Sequence, residues 1–324
     1  MLSCPEMSTA ADPAAEGARR VSARSLPGSR HPAVLHALLW SAAAGVLFSM
    51  LNVLARKLTI ELHPLQAQFL RYAFGVAALL PWVLRRGVAT WHTTQPGAQF
   101  TRGAVHTAGL ALWFVALPHI PLADTTAIGF TTPIFIMIGA HLFLKEPMRR
   151  ERWVASAIGF AGVLLVLAPK LGSGGHGWWH LVMLASGPVF AASSLLTKSL
   201  TRLESPEVIV LWQAIAISAY SLPLAVWVWQ WPAAWAWGAF ALAGLIGTAG
   251  HYCLTRSIAG ADVSATQSLK FLDLLWAALM GWIFFNEVPT QHSIAGGVVI
   301  CAATVWVAHR ESRARRAVVQ EAAP

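Results

Sequence analysis

The chain has 324 residues; 56% are hydrophobic, only 11% are charged, and the net charge is +9. A soluble domain carries about 25% charged residues, so this composition excludes an ordinary water-facing globule. The basic excess is no nucleic-acid signature here: the Lys and Arg residues fall in short stretches between apolar runs, where they read as topology signals and lipid-headgroup contacts.

Residues 1–32 are rich in Ala, Pro, Ser, Gly and Arg and lack the apolar core of a secretory signal. They read as a disordered cytoplasmic tail. Apolar runs long enough to cross a bilayer then recur. The first set is Val34–Leu54, Pro64–Val83, Ala104–Pro118, Ala123–Leu144 and Trp153–Ala168; the second is Leu181–Leu196, Val208–Val228, Trp237–Leu254, Val263–Phe285 and Ile294–Val307. These are solid apolar runs rather than ten-residue alternations, which argues against a spanning barrel. The expected fold class is an all-α integral membrane protein of about ten transmembrane helices. A basic cytoplasmic tail, 310–324, closes the chain with Arg310, Arg313, Arg315 and Arg316.

With the N-terminus in the cytoplasm, the basic loop residues fall mainly inside, including Arg85, Arg86, Arg102, Lys145, Arg149 and Arg150. Arg56, Lys57 and Lys170 alone fall outside. This positive-inside asymmetry predicts a multi-pass inner-membrane protein with both termini cytoplasmic.

The two sets resemble each other. Leu58-Thr59 matches Leu200-Thr201, Pro64 matches Pro206 and Pro81 matches Pro223, all at an offset of 142. Ala123-Asp124 matches Ala261-Asp262 at 138, and Glu146 matches Glu287 at 141. The expected organisation is repeat one at 33–169, a linker at 170–178 and repeat two at 179–309. Five spans per repeat is an odd number, so the second copy enters the membrane inverted, the architecture of many secondary transporters.

Short motifs add to this pattern: Phe69-Leu70-Arg71-Tyr72, Leu122-Ala123-Asp124, Thr132-Pro133-Ile134, Leu144-Lys145-Glu146-Pro147, Arg152-Trp153 and Gly159-Phe160-Ala161-Gly162. The second copy carries Ala261-Asp262, Lys270-Phe271-Leu272-Asp273, Asn286-Glu287 and Gly296-Gly297. With these the chain resembles the ten-helix EamA branch of the drug/metabolite transporter superfamily over roughly residues 34–309. Where such chains often carry a second proline matching Pro133, this one has Leu274-Leu275. The resemblance implies a secondary carrier working by alternating access.

Charges inside a span are expensive, about 2.5–3.5 kcal/mol each at a helix centre. Arg71, Lys270 and Asp273 are of this kind. Lys270 and Asp273 share a helix face at i, i+3 and can pair, which leaves about one net positive charge and favours a substrate with a carboxylate or another anionic group, so an amino-acid-like or carboxylated metabolite is expected. The plainer reading of Arg71 and Lys270 is snorkelling to headgroups. Gln267, Gln213 and Asn52 can line a polar cavity or join helices, and Gln213 stands where Arg71 stands in repeat one. Trp113, Tyr252 and Trp276 can stack on a planar ligand. Asp124 and Asp262 read as helix caps, Glu146 and Glu287 as fixing helix–loop geometry, and His106, His141 and His251 as structural. If protons drive transport, Asp273 is the first candidate carrier.

Cys4, Cys253 and Cys301 have neither the spacing nor the companion histidines of a zinc site or disulfide framework, and no metal or cofactor is expected. Gly172-Ser173-Gly174-Gly175-His176-Gly177 lacks the Gly-Lys-Ser/Thr of a phosphate loop and reads as a linker. No HExxH or nucleophile–base spacing supports an enzyme. The expected partners are a small-molecule substrate and the bilayer, with proton coupling and a homodimer both open. A riboflavin-type uptake permease and a small-drug exporter are the alternatives within transport; a membrane-embedded scaffold or enzyme is the rival from another class.

Overall fold

The computed structural model describes residues 30–129, 131–144, 150–171, 177–260 and 271–321. We label the helices α1 (Arg30–Glu61), α2 (Pro64–Arg86), α3 (Pro96–Ala116), α4 (in two stretches, Leu122–Gly129 and Thr131–Leu144), α5 (Arg150–Leu171), α6 (Gly177–Leu200), α7 (Pro206–Trp227), α8 (Ala234–Gly260), α9 (Phe271–Phe285) and α10 (Gln291–Glu321). No strand occurs among the described residues. In hydrocarbon an unpaired backbone amide has no water to turn to, so helices that satisfy themselves are the natural solution.

Local signals set the starts. Pro64 opens α2 at a position where a missing N–H is harmless, and His63 accepts from the Leu65 amide at 3.3 Å. Pro206 opens α7 the same way, with Ser205 accepting from the Val208 amide at 3.4 Å. The repeated proline seen at 64 and 206 is thus a repeated helix start. Gly87, at φ 84, ends α2 in a conformation that disfavours any side chain.

Among the described residues, six helices are long and apolar enough to cross a membrane: Leu39–Glu61, Pro64–Arg86, Pro96–His119, Leu122–Phe143, Gly177–Leu200 and Pro206–Trp227. Shorter apolar helices span Ala157–Val166, Trp276–Phe285 and Gln291–Ala303. α7 is the most buried of these six helices, as befits a central position. Side chains such as Phe160, Leu164, Val298 and Trp306 point outward from α5 and α10, as lipid-facing residues must. Trp178, Trp227, Trp231 and Trp235 are also exposed near helix ends, where an interfacial aromatic belt belongs.

The helix pairs are themselves symmetric. α1 packs along α8, and α6 along α3; α8 also packs on α2, and α3 on α7; α4 meets α6, and α9 meets α1. Exchanging α1–α5 for α6–α10 maps each pair onto its counterpart. α2 with α7, and α5 with α10, map onto themselves. That is the contact pattern of an inverted five-helix repeat.

α5 and α10 cross at glycines. A Cβ on Gly162 would lie 2.9 Å from the Gly296 carbonyl oxygen, and one on Gly296 would lie 2.5 Å from that of Gly162. Small residues here let the two backbones touch. Replacing Gly296 by Leu therefore separates the helices. We expect a loss of about 1–3 kcal/mol, read as a lower midpoint in thermal unfolding of detergent-purified protein.

Candidate functional site

The centre of the bundle is polar. Arg102 on α3 is 3% exposed. Its Nε donates to Thr197 Oγ1 of α6 at 2.6 Å, Nη1 to the Ile209 carbonyl of α7 at 3.4 Å, and Nη2 to Gln213 Oε1 of α7 at 2.7 Å. A buried charge is tolerated only when its donors are satisfied this fully. Because Gln213 presents its oxygen to Arg102, its Nε2 faces the other way and donates to His251 Nδ1 of α8 at 3.4 Å. His251 Nε2 lies 3.2 Å from the Tyr72 hydroxyl of α2. His106 of α3 pairs through Nδ1 with Ser193 Oγ of α6 at 2.9 Å, and its ring meets that of His251 edge-on with centroids 5.5 Å apart.

Arg71 on α2 is 5% exposed. Its guanidinium lies over the Tyr72 ring, 4.1 Å from the centroid, and against Gly247 of α8, where a Cβ would lie 2.9 Å from Cζ. Arg71 Nε is buried without a hydrogen-bond partner among the described residues. A cavity of about 10 Å³, about the room of one water, is lined here by Arg71, Tyr72, Gln213, Thr248 and His251 together with Val210, Ala214 and Gly244.

This cluster obeys the repeat. The His106 ring meets Phe190 at 5.2 Å, and the His251 ring meets Phe48 at 5.1 Å. Phe48 and Phe190 stand 142 residues apart, and the two histidines 145. The pairs Arg71/Gln213 and Arg102/Gly247 keep the same two offsets. The contact between Arg102 and Gln213 is therefore the counterpart of the contact between Gly247 and Arg71. Both guanidinium groups belong to repeat one, and repeat two supplies an amide and a glycine to receive them.

Of the residues predicted from sequence, Arg71 and Gln213 meet in this cavity. Tyr252 turns away: its hydroxyl donates to Glu207 at 3.2 Å, and its ring packs edge-on against Trp40 at 5.9 Å. Trp113 is half-buried and packs edge-on against Phe114 at 5.1 Å. Asn52 is half-buried on α1. Asp273 abuts Gly45, where a Cβ would lie 3.3 Å from its Cγ, so it sits at the seam of α1 and α9. Lys270 and Gln267, like Asp262 and Glu146, lie outside the described residues. Arg102, assigned above to a cytoplasmic stretch, is instead buried in the second turn of α3, because that helix starts at Pro96, eight residues before the apolar run does.

Each end of the bundle is tied by a carboxylate. On one face Glu204 accepts from Thr93 Oγ1, from the Thr94 and Gln95 amides at 2.9 and 3.2 Å, and from Gln99 Nε2. Burial pushes its carboxyl up, but the hydrogen bonds from Thr93, Gln99 and the two amides outweigh burial and hold it below its ordinary 4.5. On the opposite face Glu287 pairs with Arg56 and accepts from the Leu122 amide at 3.0 Å, so it caps α4. Asp124, expected as that cap, instead joins helices: Oδ1 accepts from Ser293 at 2.5 Å and Oδ2 lies 3.3 Å from His180 Nε2. A cavity of about 120 Å³ lies beside Asp124 and Glu287. Gln66 closes the same face by exchanging two hydrogen bonds with the backbone of Gln230.

A polar, pseudo-symmetric centre enclosed by an inverted helical repeat and tied at both faces defines a membrane carrier. The chain belongs to the EamA-like transporter family, which it matches over residues 35–168 and again over 177–308. It is 35% identical to a riboflavin transporter of Rhizobium johnstonii, over 86% of this chain and 92% of that one. It is 28% identical to an S-adenosylmethionine uptake transporter of Rickettsia bellii, over 85% and 94%, and 26% identical to a pseudopaline exporter of Pseudomonas aeruginosa, over 83% and 94%. A crystal structure at 20% identity superposes with a TM-score of 0.66 over 86% of this chain and 97% of that one, which shows the fold. The protein is a multi-pass inner-membrane transporter and not an enzyme.

The Glu204 tie contributes while its carboxylate is ionised and is lost as pH falls through its lowered folded-state value. In thermal unfolding, Glu204→Gln should therefore be less stable than the parent protein at pH 7, and the gap should shrink as the pH drops below 4.5.

Proposed function

We propose that the chain is a secondary transporter that carries a small, flat, polar metabolite by alternating access, with a flavin as the first solute to test. Repeats at 33–169 and 179–309 rock about the central cavity, opening it by turns at the Glu204 face and the Glu287 face. With both termini cytoplasmic, the Glu204 face is the inner one.

One observation carries the substrate reading: Arg71, which lines the central cavity, has a buried Nε without a hydrogen-bond partner among the described residues. A buried donor left unmade costs about 1–3 kcal/mol, and a substrate oxygen recovers it. A carboxylate meets a guanidinium in two parallel hydrogen bonds, and the carbonyl edge of a flavin ring accepts from the same donors. Phe48 and Phe190, which bracket the two histidines, offer apolar faces to a ring entering from either side. The riboflavin transporter named above, 35% identical over nearly its full length, supports the flavin over the other solutes. The pseudopaline exporter keeps export as a second reading, since the fold serves either direction.

Purified protein in liposomes should take up riboflavin faster than protein-free vesicles. Arg71→Gln should lower that flux at least tenfold, about 1.4 kcal/mol, with insertion and purified yield unchanged. Flux of S-adenosylmethionine or a carboxylated amino acid but not riboflavin transfers the site to that solute. Unchanged flux in the variant returns Arg71 to a structural role.

A further inference from the structure

The Arg102–Gln213–His251–Tyr72 chain has a direction. Arg102 has only N–H groups, so it fixes Gln213 with its oxygen toward α3 and its N–H₂ toward His251. His251 Nδ1 must then accept. A neutral imidazole with Nδ1 bare carries its proton on Nε2, which donates to the Tyr72 oxygen. The four residues come from α3, α7, α8 and α2, two from each repeat, and the chain crosses the pseudo-symmetry axis.

A proton added to Nδ1 sets two donors against each other. Gln213 cannot adapt by turning its amide over, because that would aim N–H₂ at Arg102. We propose that His251 is the proton-binding group of the transport cycle, and that a proton arriving at Nδ1 breaks the Gln213 link and frees α7 from α8. The groups facing His251 among the described residues are Arg71 and Tyr72 from α2, Arg102 and His106 from α3, Gln213 from α7 and Phe48 from α1. Two of these are permanent cations and none is a carboxylate. A protonated His251 therefore needs a different arrangement of these helices or an electron-rich substrate beside it, which couples the proton to solute and to conformation. Asp273, the first candidate if protons drive transport, lies at the α1–α9 seam.

The inference rests on the transporter reading, and its test separates the two. Riboflavin is supplied to proteoliposomes containing the internal pH dye pyranine, with and without an imposed pH gradient. The parent protein should move protons with the flavin and accumulate it at least fivefold more with the gradient. In His251→Gln that ratio should fall to one. Without any solute, imidazole ¹⁵N spectra of histidine-labelled protein in lipid nanodiscs, assigned by the signal lost in His251→Gln, should show His251 as the Nε2–H tautomer at pH 7.5. Gln213→Glu reverses the logic, because a carboxylate accepts from Arg102 and from a protonated Nδ1 together. In that variant His251 should keep its proton to at least tenfold lower proton concentration. An Nδ1–H tautomer, or a titration that Gln213→Glu moves less than threefold, overturns the inference whether or not flavin is carried. Flavin flux that ignores the gradient overturns it and leaves the carrier standing. Absent flavin flux with the expected spectra upholds the proton site and removes only the flavin reading.

Discussion

The structure depends on a guanidinium buried away from bulk water. Arg102 lies inside a bundle whose outer surface faces hydrocarbon, and it satisfies itself with a threonine, a backbone carbonyl and a glutamine from two other helices. Removing one partner of such a charge costs far more than the contact is worth in water. α3, α6 and α7 are therefore held in one register by one side chain, and the orientation of Gln213, the tautomer of His251 and the place of Tyr72 follow from it. The polar centre is ordered because its first member has no freedom.

The inverted repeat explains why that centre is lopsided in charge while symmetric in shape. The ring contacts of His106 with Phe190 and of His251 with Phe48 are near-copies at 5.2 and 5.1 Å. The arginines are not copied. Gly247 stands where a second Arg102 would stand, and the space it leaves is filled by Arg71. On the proposed reading, a ligand entering this site meets the same walls from either direction and a different electrostatic field from each. That suits a carrier that must offer one solute to two compartments and still bind it in a single orientation.

Much of this was legible in the sequence, for identifiable reasons. Scarce charge, long apolar runs and prolines at a fixed spacing are one-dimensional signals, and they gave the helices, the repeat and the family resemblance. Arg71 and Gln213 were readable because they share the prolines' offset of 142. His106 and His251 each read as structural in the sequence. Their significance lies in their meeting, and their offset of 145 departs from the prolines' offset by an indel's worth of residues. Arg102 reads as a loop residue in the sequence because hydropathy places the start of a helix at its first apolar residue, whereas α3 begins at Pro96 and buries Gln99 and Arg102 ahead of that run. Tyr252, beside His251 in sequence, was drawn into the site by its aromatic character, but neighbours on a helix point about 100° apart, and its hydroxyl went to Glu207.

In the proposed alternating-access cycle, the glycine crossing of α5 and α10 constrains how the two halves travel. Where backbone rests on backbone there are no long side chains to yield, so sliding one helix along the other would drive Val166 and Ile300 into main-chain atoms. Swivelling about the point of contact meets no such obstacle. In that cycle the seam acts as a bearing that resists translation and permits rotation, so the motion proposed at the central cavity is a swing about the α5–α10 contact.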